Sequence, residues 1–327
     1  MAGRGTRVRP HSHVTPKPLL PVKGRSMVER IVDTFNQVLP RNLDSGVFVL
    51  GPDFGADVNR ELEDICRRHD MHAHFAVQDR ALGTAHAVLC AGDHLEGEGI
   101  IVFADTLFDM EPGVDLEQAD VVAWVKEVED PSRFGVAVRD GEKITAFVEK
   151  PSELISREAL IGIYYVKELS SLKDQIDFLI EHHVTGHGDE YQLTDAFDRE
   201  LKAGKIFKTA SVTEWLDCGT IPALMETTRH ILAKESDSLR HGNVDNSVLI
   251  DPVYVGPGAV ISNSIVGPNV SVEAGSRITR SVIADSIVFG EATVEQALLS
   301  ETLVGRHAVV RGKAQQVNIG DHSVLES

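Results

Sequence analysis

Short apolar runs alternate with amphipathic segments between residues 47 and 235 of the chain. Apolar runs at 47–50, 73–77 and 100–103 have the length and composition of strands, and the segments 56–69 and 84–91 have the pattern of helices. Strands that alternate with helices favour a largely parallel sheet with crossover helices. We therefore expect the first part of the chain to form an α/β domain.

After residue 120 the apolar runs crowd together with no helical segments between them. The pattern predicts strands over 121–128, 133–138, 144–149 and 160–166. It predicts further helices over 169–182, 193–203 and 221–235. The crowding indicates a mixed-sheet extension of the domain, not another strand–helix repeat.

The pattern changes again near residue 236, after a polar stretch that is typical of a linker. Beyond it, apolar residues recur in steps of five or six, at Val255, Ile261, Val266, Val272, Ile278 and Ile283. A period near six predicts a parallel β-helix, whereas antiparallel hairpins would alternate with a period of two. We therefore predict an α/β domain over 1–236 and a hexapeptide-repeat β-helix over 243–327, less regular between 291 and 317.

Bulk composition narrows the possible functional classes. Of the 327 residues, 42% are hydrophobic and 25% are charged, and no apolar run is long enough for a membrane span. The N-terminus lacks the apolar core of a signal peptide, and the three cysteines are scattered, as in a reducing compartment. We therefore expect a cytoplasmic protein with no membrane partner.

The charge is strongly acidic but unevenly distributed. A net charge of −18 argues against a nucleic-acid partner. Residues 1–30, however, contain seven Arg or Lys residues and one acid, Glu29. This basic cluster is either an ordinary surface patch or the site of a confined anionic ligand, and charge alone leaves both interpretations open.

A glycine-rich loop opens the chain, with the sequence Ala-Gly-Arg-Gly-Thr-Arg-Val-Arg-Pro over 2–10 and Pro-Lys-Pro-Leu-Leu-Pro over 16–21. Gly3 and Gly5 would let the backbone come close to a ligand and present amides to an anion. Arg7 could grip phosphate oxygens with its fork of donors, and Lys17 adds a point charge. The loop is not a Walker loop, because no Gly-Lys-Ser/Thr follows.

These residues carry a family resemblance. The loop resembles the signature of the sugar-1-phosphate nucleotidyltransferases, with Ala2 in place of the first glycine. Further motifs resemble the family in the same order; they are Gln78-Asp-Arg-Ala-Leu-Gly83-Thr-Ala-His-Ala87, Phe103-Ala-Asp105-Thr-Leu, Phe134-Gly135-Val, Phe147-Val-Glu149-Lys150-Pro151, Ile161-Gly162-Ile-Tyr164 and Trp215-Leu-Asp217-Cys-Gly219-Thr. The resemblance implies a Rossmann-like domain of the glucose-1-phosphate thymidylyl- or uridylyltransferase type, followed by a left-handed β-helix.

The resemblance also implies a role for each residue. Nucleotide-binding residues would be Ala2, Gly3, Gly5, Thr6, Gln78, Gly83 and Thr84. Catalytic cations would be Arg7, Lys17 and Lys150. Sugar-binding residues would be Gly135, Glu149, Gly162 and Tyr164. Metal ligands would be Asp105 and Asp217, and the implied cofactor is Mg²⁺.

Several of these residues have ordinary structural interpretations as well. An aspartate at a strand end is often a turn or cap residue, and a Glu-Lys pair is most often solvated. Tyr164 could be a core aromatic on a strand. We interpret His86 as a packing histidine and His187 as a surface residue.

The implied partners are a nucleoside triphosphate and a sugar 1-phosphate. Gly83-Thr-Ala-His-Ala-Val88 favours dTTP or UTP, and glucose 1-phosphate is the favoured sugar. Two alternatives stay open: a mannose-1-phosphate guanylyltransferase, which shares the Phe-Val-Glu-Lys-Pro motif, and a non-catalytic subunit that senses nucleotide sugars. We expect the β-helix to be structural or regulatory and the protein to be a homo-oligomer.

The start of the chain carries one further expectation. In the family the glycine loop follows an apolar strand in the middle of the sheet, whereas here the loop begins at Ala2. The resemblance therefore implies either that the natural protein starts upstream or that another segment fills the gap.

Overall fold

A computed structural model describes residues 5–235, 241–312 and 318–326 of the chain. Among these residues the α-helices are α1 (Met27–Val38), α2 (Ala56–Arg68), α3 (Thr84–Leu89), α4 (Leu169–Glu181), α5 (Leu193–Lys202) and α6 (Ile221–Lys234). All the predicted helices are present. Helix α1 was not predicted, although its buried Met27, Val28, Ile31 and Phe35 have helical spacing.

Twelve strands precede residue 235 in the described chain. They are β1 (Pro21–Val22), β2 (Arg25–Ser26), β3 (Ser45–Leu50), β4 (His72–Val77), β5 (Gly99–Val102), β6 (Thr106–Asp109), β7 (Val121–Glu127), β8 (Gly135–Asp140), β9 (Lys143–Glu149), β10 (Glu158–Val166), β11 (Phe207–Ser211) and β12 (Glu214–Asp217). The seven predicted strands are confirmed as β3, β4, β5, β7, β8, β9 and β10. The short β6 and β12 were not predicted; the candidate metal ligand Asp105 directly precedes β6, and the other, Asp217, is the last residue of β12.

A mixed six-stranded sheet has the strand order β5-β10-β7-β11-β9-β8. Most of its pairs are antiparallel, including β10 with β5 and β10 with β7, and β11 pairs with β7 in parallel. The expected parallel arrangement of the first strands holds only for β3 and β4, which form a separate two-stranded sheet. Because β5 pairs with the later strand β10, the strand–helix alternation before residue 104 overstated the parallel character of the sheet.

The core of this sheet comes from consecutive buried residues. The stretch Val121–Val125 is buried at all five positions, as expected for a strand covered on both faces. Helices α4 and α5 pack against the sheet through Leu172, Ile176 and Phe197. This packing fixes the ends of β8, β9 and β10, where several candidate site residues lie.

The C-terminal residues form a parallel β-helix of short strands. They are β13 (Asn243–Asp245), β14 (Val248–Leu249), β15 (Val253–Val255), β16 (Val260–Ser262), β17 (Ile265–Val266), β18 (Val270–Val272), β19 (Arg277–Thr279), β20 (Val282–Ala284), β21 (Ser286–Val288), β22 (Thr293–Glu295), β23 (Leu298–Ser300), β24 (Leu303–Val304), β25 (Val309–Arg311), β26 (Asn318–Ile319) and β27 (Val324–Glu326). They stack in three parallel sheets. The predicted β-helix is thus confirmed, and its repeat continues through 291–312.

One apolar row lies inside each sheet of the β-helix. In the first sheet, Ile261 of β16 is in register with Ile278 of β19, which is in register with Val294 of β22, and all three are fully buried. Along this row the inward residues are separated by one whole coil, 17 residues from Ile261 to Ile278 and 16 from Ile278 to Val294. Each coil crosses three sheets and places one apolar residue inward in each, which gives the period near six in the sequence.

The chain divides into two compact units that do not follow its order. Among the described residues, the first unit contains 31–104 and 108–215, and the second contains 5–30, 105–107, 216–235, 241–312 and 318–326. Within the second unit the N-terminal segment packs on the β-helix. His11 Nε2 lies 2.6 Å from Asn318 Oδ1, and the amide of Gly24 donates to the buried Glu273 at 3.2 Å. None of the described helices is long and apolar enough to cross a membrane.

Candidate active site

The glycine loop is held by its own polar contacts. Gly5 has a φ of +53°, and Ser12 Oγ donates to the Gly5 carbonyl oxygen at 2.6 Å. Thr6 and Arg7 follow in a short 3₁₀ turn, and both are exposed. Ala2 and Gly3 lie outside the described residues. Exposed donors on a pinned loop suit an anionic ligand.

The basic cluster of the N-terminal segment divides into two groups. Lys17 lies beside the loop, and a Cβ on Gly5 would come within 3.3 Å of its Cβ. Lys23 and Arg30 instead form ion pairs with Glu235, at 3.1 and 2.7 Å. Arg30 Nε also donates to the Val22 carbonyl oxygen. The anion-site interpretation therefore applies to the loop residues and Lys17, while Lys23 and Arg30 are structural.

Lys17 and Asp105 form an ion pair. Their side chains approach to 3.4 Å between Nζ and Oδ2, and only 9% of Lys17 is exposed. Asp105 comes directly before β6 and remains half-buried. A buried ammonium group needs such a partner, because an unpaired buried charge is costly. The contact places a cation from the N-terminal segment against one candidate metal ligand.

Pairing of β6 with β12 brings the second aspartate to the same place. The amide of Cys218 donates to the Asp105 carbonyl oxygen at 3.3 Å. Asp217 is exposed, and its Oδ1 accepts from the Gly219 amide at 2.6 Å. Its carbonyl oxygen accepts from Thr227 of α6. Of the two predicted metal ligands, Asp105 thus directly precedes β6 and Asp217 ends the adjacent β12, and the backbone carbonyl of each accepts a hydrogen bond.

Cys218 is a buried thiol beside the charges of Asp105, Asp217 and Lys17. Burial, together with the carboxylates of Asp217 and Asp105, raises the pKa of the Cys218 thiol to about 12, although Thr227 and Lys17 oppose this. The thiol therefore stays protonated at neutral pH. Only the thiolate is a good metal ligand or nucleophile.

The predicted base-recognition residues lie between β4 and α3. Gln78 follows β4, and only 7% of it is exposed. Gly83 has a φ of +114°, and a Cβ there would lie 2.4 Å from the carbonyl oxygen of Tyr191. Thr84 Oγ1 accepts from the amide of Leu193 at 2.9 Å. Gly83 and Thr84 therefore anchor this segment to the start of α5, and Gln78 is held beside them.

The β8–β9 hairpin positions the predicted sugar-phosphate residues. Gly135 is the register partner of Glu149, and a Cβ on Gly135 would lie 2.7 Å from Glu149 Oε2. Lys150 has a φ of +45°, its amide donates to the Phe134 carbonyl oxygen, and its Nζ lies 3.9 Å from Glu149 Oε1. The absence of a side chain on Gly135 thus leaves space for the Glu149 carboxylate.

Burial dominates the electrostatics of Glu149. It raises the pKa of this carboxyl, Lys150 and His187 lower it, and Asp195 raises it further. Sequence reasoning missed Asp195, whereas His187 is exposed, as the sequence predicted. Asp195 Oδ2 is buried with no hydrogen-bond partner among the described residues. No periodicity or motif in the sequence indicates that the start of α5 lies near Glu149. This proximity arises only when the chain folds.

Gly162 and Tyr164 belong to the core. Gly162 lies at a register shift in β10 with a φ of +79°, and a Cβ there would come within 2.8 Å of the Phe103 ring. Tyr164 is 3% exposed and packs against Phe103 and Phe197 at centroid distances of 6.1 and 4.9 Å. Burial, with the charge of Glu149, raises the pKa of Tyr164. Tyr164 is therefore a core aromatic residue on a strand, the structural alternative considered in the sequence analysis.

Comparison with known proteins is consistent with this arrangement. Residues 1–234 match the family described as nucleotidyl transferase, and residues 226–315 match the GlmU-like C-terminal hexapeptide family. A low-salt glycan biosynthesis nucleotidyltransferase, Agl11 of Haloferax volcanii, is 27% identical over 99% of this chain and 98% of its own length. A glucose-1-phosphate thymidylyltransferase of Streptomyces antibioticus is 25% identical over 99% of this chain and 97% of its own.

Solved structures share the fold of the first part of the chain. A UDP-glucose pyrophosphorylase complexed with UDP-glucose superposes with a TM-score of 0.57 at 22% identity, covering 72% of this chain and 97% of the other. The corresponding protein from Acinetobacter baumannii gives a TM-score of 0.56 at 20% identity over 72% and 92%. The family match spans residues 1–234 and includes the Lys17–Asp105 pair, Gln78 and Glu149, so the chain belongs to the nucleotidyl transferase family.

Proposed function

We propose that this protein joins a nucleoside triphosphate to a sugar 1-phosphate and releases pyrophosphate. The favoured substrates are dTTP or UTP and glucose 1-phosphate. The observation that carries the proposal is the convergence of Lys17, Asp105 and Asp217 around the β6–β12 pair. The full-length similarity to a glucose-1-phosphate thymidylyltransferase supports the choice of substrates.

The reaction is an in-line displacement at the α-phosphorus. An oxygen of the sugar phosphate forms the new bond to phosphorus, and the bond to the pyrophosphate oxygen breaks. Both reactants are anions, so the protein must neutralise charge and align them. Arg7 and Lys17 contact the triphosphate in this proposal, and the exposed Lys150 contacts the sugar phosphate.

Asp105 and Asp217 fit a magnesium site as oxygen donors. Mg²⁺ is usually held by one or two carboxylates, with phosphates and waters completing its shell. The described residues contain no group of three or more His, Cys, Asp or Glu side chains that could hold a metal alone. The pair therefore suits an ion that arrives with the nucleotide, and such an ion would neutralise phosphate charge.

In this proposal Glu149 recognises the sugar ring. Its carboxylate lies over Gly135 and beside Lys150, at the end of β9. A carboxylate accepts hydrogen bonds from hydroxyl groups, while the adjacent ammonium group attracts the phosphate. We therefore expect the neighbouring residues Glu149 and Lys150 to bind the sugar ring and its phosphate, respectively.

A pyrophosphate-release assay tests the proposed reaction. Purified protein with Mg²⁺ is given UTP, dTTP, GTP, ATP or CTP, each with glucose 1-phosphate or mannose 1-phosphate. Turnover is expected to be fastest with dTTP or UTP and glucose 1-phosphate, and EDTA should abolish it. No pyrophosphate release with any pair would refute the proposal, and preference for GTP with mannose 1-phosphate would replace its substrates.

We further propose that copies of the chain associate through one face of the β-helix. Four apolar side chains are in register on this face and 40–61% exposed; they are Val248, Ile265, Val282 and Leu298. A straight apolar row is complementary to the same row on a second copy. Light scattering of the Ile265→Lys/Val282→Glu variant tests this proposal. The variant should have a lower mass than the unmodified protein, and an equal mass would refute the proposal.

A further inference from the structure

The Gln78 carboxamide has a fixed orientation. Its Nε2 lies 3.1 Å from the carbonyl oxygen of Gly83 and 3.0 Å from Nδ1 of His86. A carbonyl oxygen can only accept a hydrogen bond, so the amide nitrogen must face Gly83. The opposite orientation would set two oxygens against each other in a site where Gln78 is only 7% exposed.

This orientation determines the state of His86. Because Gln78 Nε2 is a donor, Nδ1 of His86 must accept, which places the ring proton on its Nε2. A protonated ring would set two N–H groups against each other. Burial lowers the pKa of His86, which also favours the neutral ring. The same Nδ1 lies 3.9 Å from Cys90 Sγ.

The two contacts occupy both protons of the Gln78 amide nitrogen. Among the described residues, Gln78 Oε1 accepts no hydrogen bond, so this oxygen is the group left to meet a ligand. An acceptor at this position matches a base whose ring nitrogen carries a proton. Uracil, thymine and guanine have such an N–H, whereas the corresponding nitrogens of cytosine and adenine are acceptors.

We propose that His86 is a positioning residue that holds Gln78 with Oε1 toward the nucleobase and so selects bases with a ring N–H over cytosine and adenine. The inference rests on the proposed function, in which Gln78 contacts the base. It gives His86 a role beyond packing. Without an acceptor at His86, the amide loses one of the two contacts that hold it, so rotation costs less and its NH₂ group can face a cytosine nitrogen more often, although the Gly83 carbonyl oxygen still opposes this rotation.

Three variants of the full chain test this role. His86→Leu removes the acceptor at similar volume, and His86→Asn can restore it through Oδ1. His72→Leu is the matched control, because His72 is exposed on β4. The measured quantity is kcat/KM for UTP relative to CTP, with Mg²⁺ and glucose 1-phosphate. Binding of UDP and CDP by calorimetry is measured on the same proteins.

The unmodified protein and His72→Leu should favour UTP strongly. His86→Leu should lower the UTP-to-CTP ratio by about tenfold or more, the effect of one misplaced hydrogen-bonding group, and His86→Asn should recover most of it. Equal losses for both nucleotides in His86→Leu would mean a structural role and overturn the inference. It is also overturned if the unmodified protein binds CDP as tightly as UDP.

Failure of the proposed function gives a different result. If the unmodified protein releases no pyrophosphate but binds UDP more tightly than CDP, the proposed reaction is wrong. The inference about His86 is then tested by the ratio of UDP to CDP affinity measured by calorimetry in the same variants. If turnover occurs and the ratio does not change in His86→Leu, the reaction is retained and the inference is wrong.

Discussion

Replacing Glu235 with glutamine should lower the free energy of unfolding by about 1–2 kcal/mol at pH 7. Glu235 follows α6 and receives Arg30 Nη1 at 2.7 Å and Lys23 Nζ at 3.1 Å. Burial by itself would raise the pKa of Glu235, but Arg30 and Lys23 outweigh it and lower this pKa from 4.5 to about 2. The network ties the segment after Lys17 to the helix after Asp217.

The magnitude follows from that pKa. Each pKa unit corresponds to about 1.4 kcal/mol, so the full difference would be worth about 3 kcal/mol. The Glu235 side chain is 37% exposed, so solvent screens the pair and reduces the value to the expected range. The Lys23 and Arg30 side chains are only 8% and 10% exposed. We therefore expect Glu235→Gln to lower the free energy of unfolding by more than the loss of an exposed ion pair would.

Urea denaturation between pH 7 and pH 3 checks this prediction. A carboxyl whose folded-state pKa is depressed contributes stability above its unfolded pKa and loses it as the pH falls through the folded value. The difference between the unmodified protein and Glu235→Gln should therefore be constant above pH 4.5 and shrink toward pH 2. Glu226→Gln is the control, because Glu226 forms an exposed pair with Arg229 on the same helix. A difference that is the same at pH 3 and pH 7 would refute the reasoning.

The phosphate and metal residues give two further predictions. Asp105→Asn and Asp217→Asn should each lower kcat by about 100-fold or more with unchanged circular dichroism, because a lost carboxylate leaves phosphate charge unneutralised. Near-normal rates in Mg²⁺ would exclude these residues as metal ligands. Lys17→Ala should raise KM for the nucleotide and Lys150→Ala KM for the sugar phosphate, each by about 10- to 150-fold for one charge-assisted contact. Equal effects on both substrates would contradict the division of roles.

The fold followed from sequence wherever burial is periodic. Strand β7 has five consecutive buried residues, and each coil of the β-helix repeats buried apolar residues in its three sheets, so each gives a clear signal. Helix α1 has an equally regular apolar face but begins within the basic cluster, whose charge suggested a ligand instead. Its Arg30 pairs with Glu235, far along the chain, and no local pattern reveals such a partner.

The sequence supplied candidate site residues but not the contacts between them. The resemblance supplied Lys17, Asp105 and Glu149, whereas the neighbours of Glu149 come from α5 and are set by sheet packing. The strands β6 and β12 were not predicted, because each is too short for its few apolar residues to show a periodic pattern. Pairing of these strands brings the backbones of Asp105 and Asp217 together, so the proximity of the two candidate metal ligands is a property of tertiary pairing.

Two glycines assigned to the sugar site from the family resemblance are also constrained by packing within the protein. Gly135 and Gly162 were both expected to leave space for the sugar, yet at each position a side chain would also collide with a neighbouring residue of the protein. A Cβ on Gly135 would lie 2.7 Å from Glu149 Oε2, and a Cβ on Gly162 would lie 2.8 Å from Phe103. Gly162→Ala should therefore destabilise the core by about 1–3 kcal/mol, since its positive φ adds strain. Gly135→Ala should instead displace the Glu149 carboxylate and raise KM for the sugar phosphate while leaving KM for the nucleotide unchanged. If Gly135→Ala changed both KM values equally, Glu149 would be a packing residue and not the sugar ligand.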